Sequence, residues 1–417
     1  MGIDIKLGYK HTELGVIPTD WEICTLDSIT TLLTNGFVGK IKDQYDQSGN
    51  GVLYVQGYNV QENGFNFHEI RRISQKFHKQ HQRSSLELGD LLTIQTGDIG
   101  VTAIVPPALV GANCHALVIS RLKKQICDPR YYCHYFNSAH GRTALKAIET
   151  GSTMKHLNVG DLKGLLLPLP SIEEQRSIGK ILSDADEFIN YLEITIKKKK
   201  NIKQGAMQEL LIGKRRLEKF NDDWIVNKIK DIARVIRGAS PRPKGDKRYY
   251  GGDIPRLMVE DVTRDGKFVT PKVDFLTKEG EKLSRPCKKG TLTIVCSGTV
   301  GIPSFLDKDA CIHDGFLALV DIKKNISEDY LYHQLSNLRN KFESSATHGG
   351  VFTNLTTSIL EEFIVTLPPT KEEQSKIASI LSDMDSEIEE LEKNKEKYIM
   401  LKNGMMQKLL TGEIRVK

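Results

Sequence analysis

Two stretches of the chain, residues 36–88 and 238–289, gather side chains able to read a nucleic acid. The first holds Lys40, Lys42, Gln44, Tyr45, Gln56, Tyr58, Asn59, Arg71, Arg72 and Lys76. The second, with Arg237 at its edge, holds Arg242, Lys244, Lys247, Arg248, Tyr249 and Arg256. Arginine and lysine suit phosphates and the guanine edge, and asparagine and glutamine suit adenine, so such a mixture with tyrosines between is a kit for base edges and backbone. Taken singly, each of these residues reads more readily as solvated surface; taken as a cluster, the surface reading and the site reading stand even. Two glycine loops, ETGSTMKHLNV at 149–159 and THGGVFTNLTT at 347–357, add Thr153, Lys155 and Asn354. They read either as plain turns before a strand or as a backbone-led approach to phosphates.

Motifs for catalysis are missing. There is no G-x-x-x-x-G-K-[ST] phosphate loop, no G-x-S-x-G elbow (Ser297 lies in CSGTVG) and no N-P-P-[YF] tetrapeptide. ATP hydrolysis, serine hydrolysis and S-adenosylmethionine chemistry are therefore not expected of this chain. The string Asp265-Gly266-Lys267 is too short to specify a nuclease. The expectation is a binder with no catalytic residue of its own. The seven cysteines form no C-x-x-C pair, and an odd number does not suit a disulfide framework, so they read as reduced and buried. Neighbours such as Cys114-His115, Cys133-His134 and Cys311-Ile312-His313 read as structural, and no metal is expected. A net charge of +6 permits a nucleic-acid partner without requiring one. No apolar run approaches the roughly 18 residues of a membrane span, and the N-terminus has no secretory pattern, so the default expectation is the cytoplasm with no membrane partner.

The elements that must position these residues are written twice. PSIEEQRSIGKILSDAD, from Pro170, returns as PTKEEQSKIASILSDMD, from Pro369, at a separation of 199 residues that holds from there to the C-terminus. Upstream, GDLLTIQTGDIG (89–100) answers GTLTIVCSGTVG (290–301), and Trp21 answers Trp224. Residues 36–88 and 238–289 lie between the matching ends and share little. A duplicated scaffold has diverged where it touches something and kept what holds it together. Segments such as GVLYVQGYNV and LTIVCSGTVGIPSFL read as strands between glycine turns, followed by helical stretches, which makes each unit α+β.

Behind each unit the apolar positions step by four and three. They are Ile178, Leu182, Ala185, Ile189, Leu192, Ile196, Lys199, Lys203, Ala206 and Leu210 in one copy. In the other they are Ile377, Leu381, Met384, Ile388, Leu391, Lys395, Tyr398, Lys402, Met405 and Leu409. This is a heptad seam that turns polar in the same third quarter of both copies. Glu173 and Glu174, like Glu372 and Glu373, favour a helix N-terminus, and Gly213 and Gly412 mark the ends. Two such helices, with Met207 and Met406 near the seam, are expected to pair antiparallel about a pseudo-twofold axis with the globular units at opposite ends, and to hold a protein partner as well as each other. The run Lys197–Lys200 reads as a solvated face. The boundaries that follow are 1–165, 166–213, 214–365 and 366–417, alternating globular unit and helix.

The sequence resembles the specificity subunit of type I restriction-modification enzymes. The likeness is carried by YKHTELGVIPTDWE at Tyr9–Glu22, GSTMKHL at Gly151–Leu157, LPLPSIEEQRSI at Leu167–Ile178, LPPTKEEQ and the closing LLTGEIRV, and it covers essentially the whole chain. It implies two target-recognition domains in tandem, each reading one half of a split double-stranded DNA site, separated by two long helices paired as an antiparallel coiled coil. It also implies two methyltransferase subunits docked on those helices and, through them, restriction subunits; S-adenosylmethionine, ATP and Mg belong to those partners, and this chain carries no cofactor. The second glycine loop departs from the first, with Gly349-Gly350-Val351 where Ser152-Thr153-Met154 stands. A rival reading is a coiled-coil adaptor that binds proteins and no DNA.

Overall fold

The structure is a computed structural model that describes residues 6–151, 155–345, 347–349 and 352–416. It divides into two compact units, one of residues up to 193 together with those from 393 onward, the other of residues 194–392. The division cuts both long helices, Ile172–Leu210 and Lys371–Leu409, each 39 residues, near their middles. The reason is that the helix ends belong to the globular cores.

In the first unit the apolar run Leu91–Ile94 is buried along its whole length. It sits inside an antiparallel sheet of order Thr102–Ile104, Leu91–Ile94, Leu117–Leu122, Thr30–Asn35. The second unit repeats this with Pro303–Leu306, Leu292–Val295, Phe316–Val320 and Arg234–Arg237, adding Phe268–Val269 at the edge. Beside each lies a smaller sheet formed largely by the divergent segment. It is Val52–Val55 between Arg71–Ile73 and the parallel Asn113–Cys114 in one unit. In the other, Tyr250–Leu257 lies between Asp274–Leu276 and the parallel Ala310–Ile312, with Arg285–Cys287 outside. Gly36 and Gly238 stand where the chain leaves the large sheet for the divergent segment. A Cβ at Gly36 would lie 2.4 Å from the Cys114 carbonyl oxygen, and one at Gly238 would lie 2.0 Å from that of His313. Any side chain there would push the segment off its sheet.

The repeated Glu-Glu-Gln has a mechanical explanation beyond the helix dipole. Gln175 accepts from the Asp128 backbone N–H at 2.9 Å and donates to the carbonyls of Ile126 and Pro170. Gln374 accepts from the Ser327 N–H at 2.7 Å and donates to the carbonyls of Asn325 and Pro368. Each fully buried amide thus ties the start of a long helix to the start of a domain helix, Pro129–Asn137 or Glu328–Asn337, and satisfies one backbone N–H and two backbone carbonyls. The preceding glutamates, Glu174 and Glu373, are buried as well. Glu174 accepts from Trp21 Nε1 at 2.9 Å and from Arg415, and Glu373 accepts from Arg216 at 3.0 Å.

Several seam residues have another role than the heptad alone suggested. Ile178, Leu182, Met406 and Leu409 lie in the core of the first unit, and Leu210, Ile377 and Leu381 lie in that of the second, with Met207 and Met384 packed against it. Met406 is buried, so it anchors a domain rather than offering a contact to a partner. Ile189, Leu192, Ile388 and Leu391 occupy the middle stretches, buried or half-buried. The polar third quarter is explained by antiparallel pairing within each unit. Lys402 meets Asp186 and Lys395 meets Glu193 in the first, while Lys203 meets Asp385 and Lys199 meets Glu387 in the second. Lys200, in the run read as solvated, also pairs, with Glu392 at 2.6 Å.

A polar node sits between domain and helices in each unit. His134 Nε2 lies 3.2 Å from Ser183 Oγ, and His333 Nε2 lies 3.0 Å from Ser382 Oγ. Both rings are buried. Burial, helped by Lys402 and Arg130, pushes His134 down to about 3; burial, helped by Lys267, pushes His333 down to about 4. An unfolded histidine takes up a proton near pH 6.5 and these folded ones do not. Their contribution to stability is therefore complete above pH 6.5 and is lost as pH falls through the folded values, by about 1.4 kcal/mol per pH unit per histidine. Urea midpoints between pH 7 and pH 5 are expected to fall on this account, and His134→Phe or His333→Phe should each remove one proton from the slope. An unaltered slope in both variants contradicts the assignment.

Candidate nucleic-acid interface

In the first unit the divergent segment brings four of the expected residues together. Gln56 closes the strand Val52–Val55, and its Nε2 donates to Tyr45 Oη and to Tyr58 Oη, both at 3.3 Å. Tyr58 Oη donates to the Glu69 carbonyl at 3.1 Å, and the Arg71 guanidinium lies 4.9 Å from the centre of the Tyr45 ring. The amide nitrogen is held by two phenols, and the arginine fork is presented on an aromatic face, which preorganises both for hydrogen-bonding at a base edge or phosphate. Lys40, Lys42 and Lys76 are exposed and make no ion pair with another described residue, as befits phosphate contacts. Gln44 is half-buried on a short turn, Lys42–Gln44.

Two expected residues in this segment make structural hydrogen bonds. Asn59 is fully buried; it accepts from the Gln56 N–H and donates to the Asn66 carbonyl, closing the turn that carries Tyr58. Arg72 is half-buried and donates to the Gly51 carbonyl at 2.7 Å. Asn59 therefore has no free edge for a base, whereas Arg72 keeps further N–H donors beyond this bond.

In the second unit the organiser is Asp314, which residue spacing gave no means of finding because it lies far in sequence from the arginines it holds. Its carboxylate takes the Ser240 hydroxyl at 2.5 Å and Arg242 Nη2 at 3.2 Å, and its backbone carbonyl takes Arg237 Nε at 3.1 Å. Burial raises the Asp314 carboxyl, but the Ser240 hydroxyl, its own backbone and His313 outweigh that and leave it below the usual range. Arg237 and Arg242 thus stand exposed but oriented, each with further N–H donors turned outward. Lys244 and Lys247 are exposed with no ion pair to a described residue. Arg248 is tied to Asp246 at 2.7 Å and lies 5.2 Å from the Tyr249 ring centre. Arg256 departs from expectation. It is buried, paired with Asp274 and donating to Ser240 Oγ at 2.9 Å, so it supports the site from beneath.

The glycine loops lie only partly within the described residues. Thr153 falls outside them, as do Ser152, Met154, Gly350 and Val351. Lys155 is exposed, 3.5 Å from Glu149, and Asn354 pairs across an isolated bridge with Ser297. Among the described residues there is no group of three metal-ligating side chains. Burial pushes the thiols of Cys24 and Cys296 up to about 11, so neither is a nucleophile at neutral pH. No helix among the described residues is long and apolar enough to cross a membrane.

A family model described as the type I restriction modification DNA specificity domain matches residues 18–204 and again 221–399. A Methanocaldococcus jannaschii protein named as the MjaX type I restriction enzyme specificity subunit is 27% identical over 428 residues, covering 98% of this chain and 97% of its own. The MjaVIII specificity subunit of the same organism is 26% identical over 320 residues, covering 71% of this chain and 72% of its own. The solved type I restriction-modification S subunit from M. genitalium shares the fold, with a TM-score of 0.59 at 17% identity, covering 93% of this chain and 96% of that one.

Proposed function

The chain belongs to the type I restriction modification DNA specificity family, and from that premise we propose that each unit reads its own half of a split double-stranded site with its own divergent segment. It is a non-catalytic DNA-recognition subunit. The observation that carries the division of labour is one scaffold bearing two unlike polar faces. Tyr45, Gln56, Tyr58 and Arg71 form one, and Arg237 and Arg242 on Asp314 form the other. The first offers an amide suited to adenine and a single stacked arginine; the second is built of arginine forks suited to guanine or phosphate. The repeated helices set the gap between half-sites and dock two methyltransferase subunits carrying S-adenosylmethionine. Restriction subunits using ATP and Mg join through them.

Selection from random duplex DNA by the chain with its methyltransferase partner tests this reading. A two-part consensus with one fixed gap is expected. Enrichment of no sequence would leave the chain a protein-binding adaptor. The ruler has a test of its own. Adding one heptad after Leu192 and one after Leu391 keeps the seam in phase and lengthens the helix pair by about 10 Å at 1.5 Å per residue. With base pairs rising about 3.4 Å, the preferred gap should grow by about three base pairs while both half-sites stay the same. An elongated protein that keeps the original gap at undiminished affinity contradicts the role given to the helices.

A further inference from the structure

The node between domain and helices is repeated residue for residue in both halves of the chain. His134, Ser183, Asp186 and Lys402 in the first unit stand at the same separation of 199 residues from His333, Ser382, Asp385 and, with the order of the long helices exchanged, Lys203. In each unit three elements contribute: a domain helix gives the histidine, one long helix the serine and aspartate, the other the lysine. The divergent segment reaches the node by a different residue in each unit. Asn63 donates to Asp186 Oδ2 at 3.0 Å in the first, and Lys267 donates to Ser382 Oγ at 3.1 Å in the second. Ser382 Oγ thus stands between Lys267 Nζ and His333 Nε2. The Nδ1 atoms of both histidines are buried without a hydrogen-bond partner among the described residues.

For stability alone such a node is a poor choice, because well-packed apolar side chains usually do as well or better. What buried polar groups add is discrimination between alternative registers, a use well attested in coiled coils. A heptad seam tolerates slipping by one repeat, since knobs return to holes. Slipping these helices by seven residues would part Lys402 from Asp186 and Lys203 from Asp385, and leave the serine hydroxyls facing the wrong side chains.

We propose that the repeated His-Ser-Asp-Lys node consists of positioning residues that fix the register of the two long helices and seat each recognition domain on them, so that one gap between half-sites is read. This rests on the DNA reading given above. The test uses the complex with its methyltransferase partner and a library of gap lengths. Neutral, near-isosteric replacement in both units, Asp186→Asn with Lys402→Gln and Asp385→Asn with Lys203→Gln, should admit at least one further gap length to within about tenfold of the optimum while the half-site bases stay unchanged. Exchanging each pair, Asp186→Lys with Lys402→Asp and Asp385→Lys with Lys203→Asp, should restore a single gap. Register is also read without DNA, by disulfide trapping in the first unit. Glu193→Cys with Lys395→Cys samples the native register, and Phe188→Cys with Met405→Cys samples a slip of one heptad, because Met405 lies seven residues beyond Tyr398, whose ring stands 4.5 Å from that of Phe188; the second pair should trap only in the neutral variants. A single gap retained by the neutral variants, or affinity lost equally at every gap length, overturns the proposal. Should the unmodified complex prefer no gap, the DNA reading has failed, and trapping alone then decides the register. If the quadruple variant does not fold, Ser183→Ala with Ser382→Ala takes its place under the same criteria.

Discussion

Arg415→Ala should destabilise the first unit by about 3–5 kcal/mol, because it strips the counter-charge from a buried carboxylate. Arg415 sends Nε and Nη2 to Glu174 at 2.7 and 2.9 Å, and Nη1 and Nη2 to Asp20 at 2.8 and 2.7 Å, while its guanidinium lies 5.8 Å from the centre of the Trp21 ring. Glu174 keeps one hydrogen bond, from Trp21 Nε1, once the arginine is gone. For a unit of this size each kcal/mol moves the midpoint by about 2–4 °C, so a fall on the order of 10 °C is expected in the transition of that unit. Adding Glu174→Gln should recover most of the loss, since a neutral amide retains an acceptor for Trp21 and no longer needs the cation. If the double variant is no better than the single, the penalty comes from lost packing of the arginine stem and the electrostatic account is wrong. The equivalent Arg216→Ala in the second unit should cost at least as much. Glu373 is buried, and Trp224 Nε1 has no hydrogen-bond partner among the described residues to share the charge.

That prediction turns on residues whose place the sequence showed but whose use it concealed. The repeats at Glu174-Gln175 and Glu373-Gln374 were legible because both copies keep them, and so were the heptads and the glycine helix ends. The antiparallel pairing followed from the need of two amphipathic rods for a partner. Periodicity could not say that Ile178, Leu182, Met406 and Leu409 pack into a globular core rather than along a coil, since the same apolar face serves either. The polar third quarter looked like a weakening of the seam, and it is where lysines of one helix meet acids of the other.

At the candidate interface residue type was a coarse guide. It found Tyr45, Gln56, Tyr58 and Arg71 together, and Arg237 with Arg242. It also took in Asn59 and Arg256, whose polar groups are turned inward to close a turn and to pair with Asp274. Composition counts donors without saying which way they point. Asp314 escaped because an acidic residue is not an obvious part of a DNA-reading surface, and its importance lies in aiming two arginines.

Exchange of residues 36–88 for the corresponding segment of a relative with a different target tests the central claim most directly. The segment carries the Tyr45-Gln56-Tyr58-Arg71 face and no part of the long helices. Each mismatched base pair costs about 1–3 kcal/mol, so a half-site of three or four bases should switch preference by about 10²-fold or more. Selection from random duplex DNA, with the methyltransferase partner present, should return a site in which one half matches the donor of the segment while the other half and the gap are unchanged. A site altered in both halves, or in neither, would contradict the assignment of one half-site to each unit.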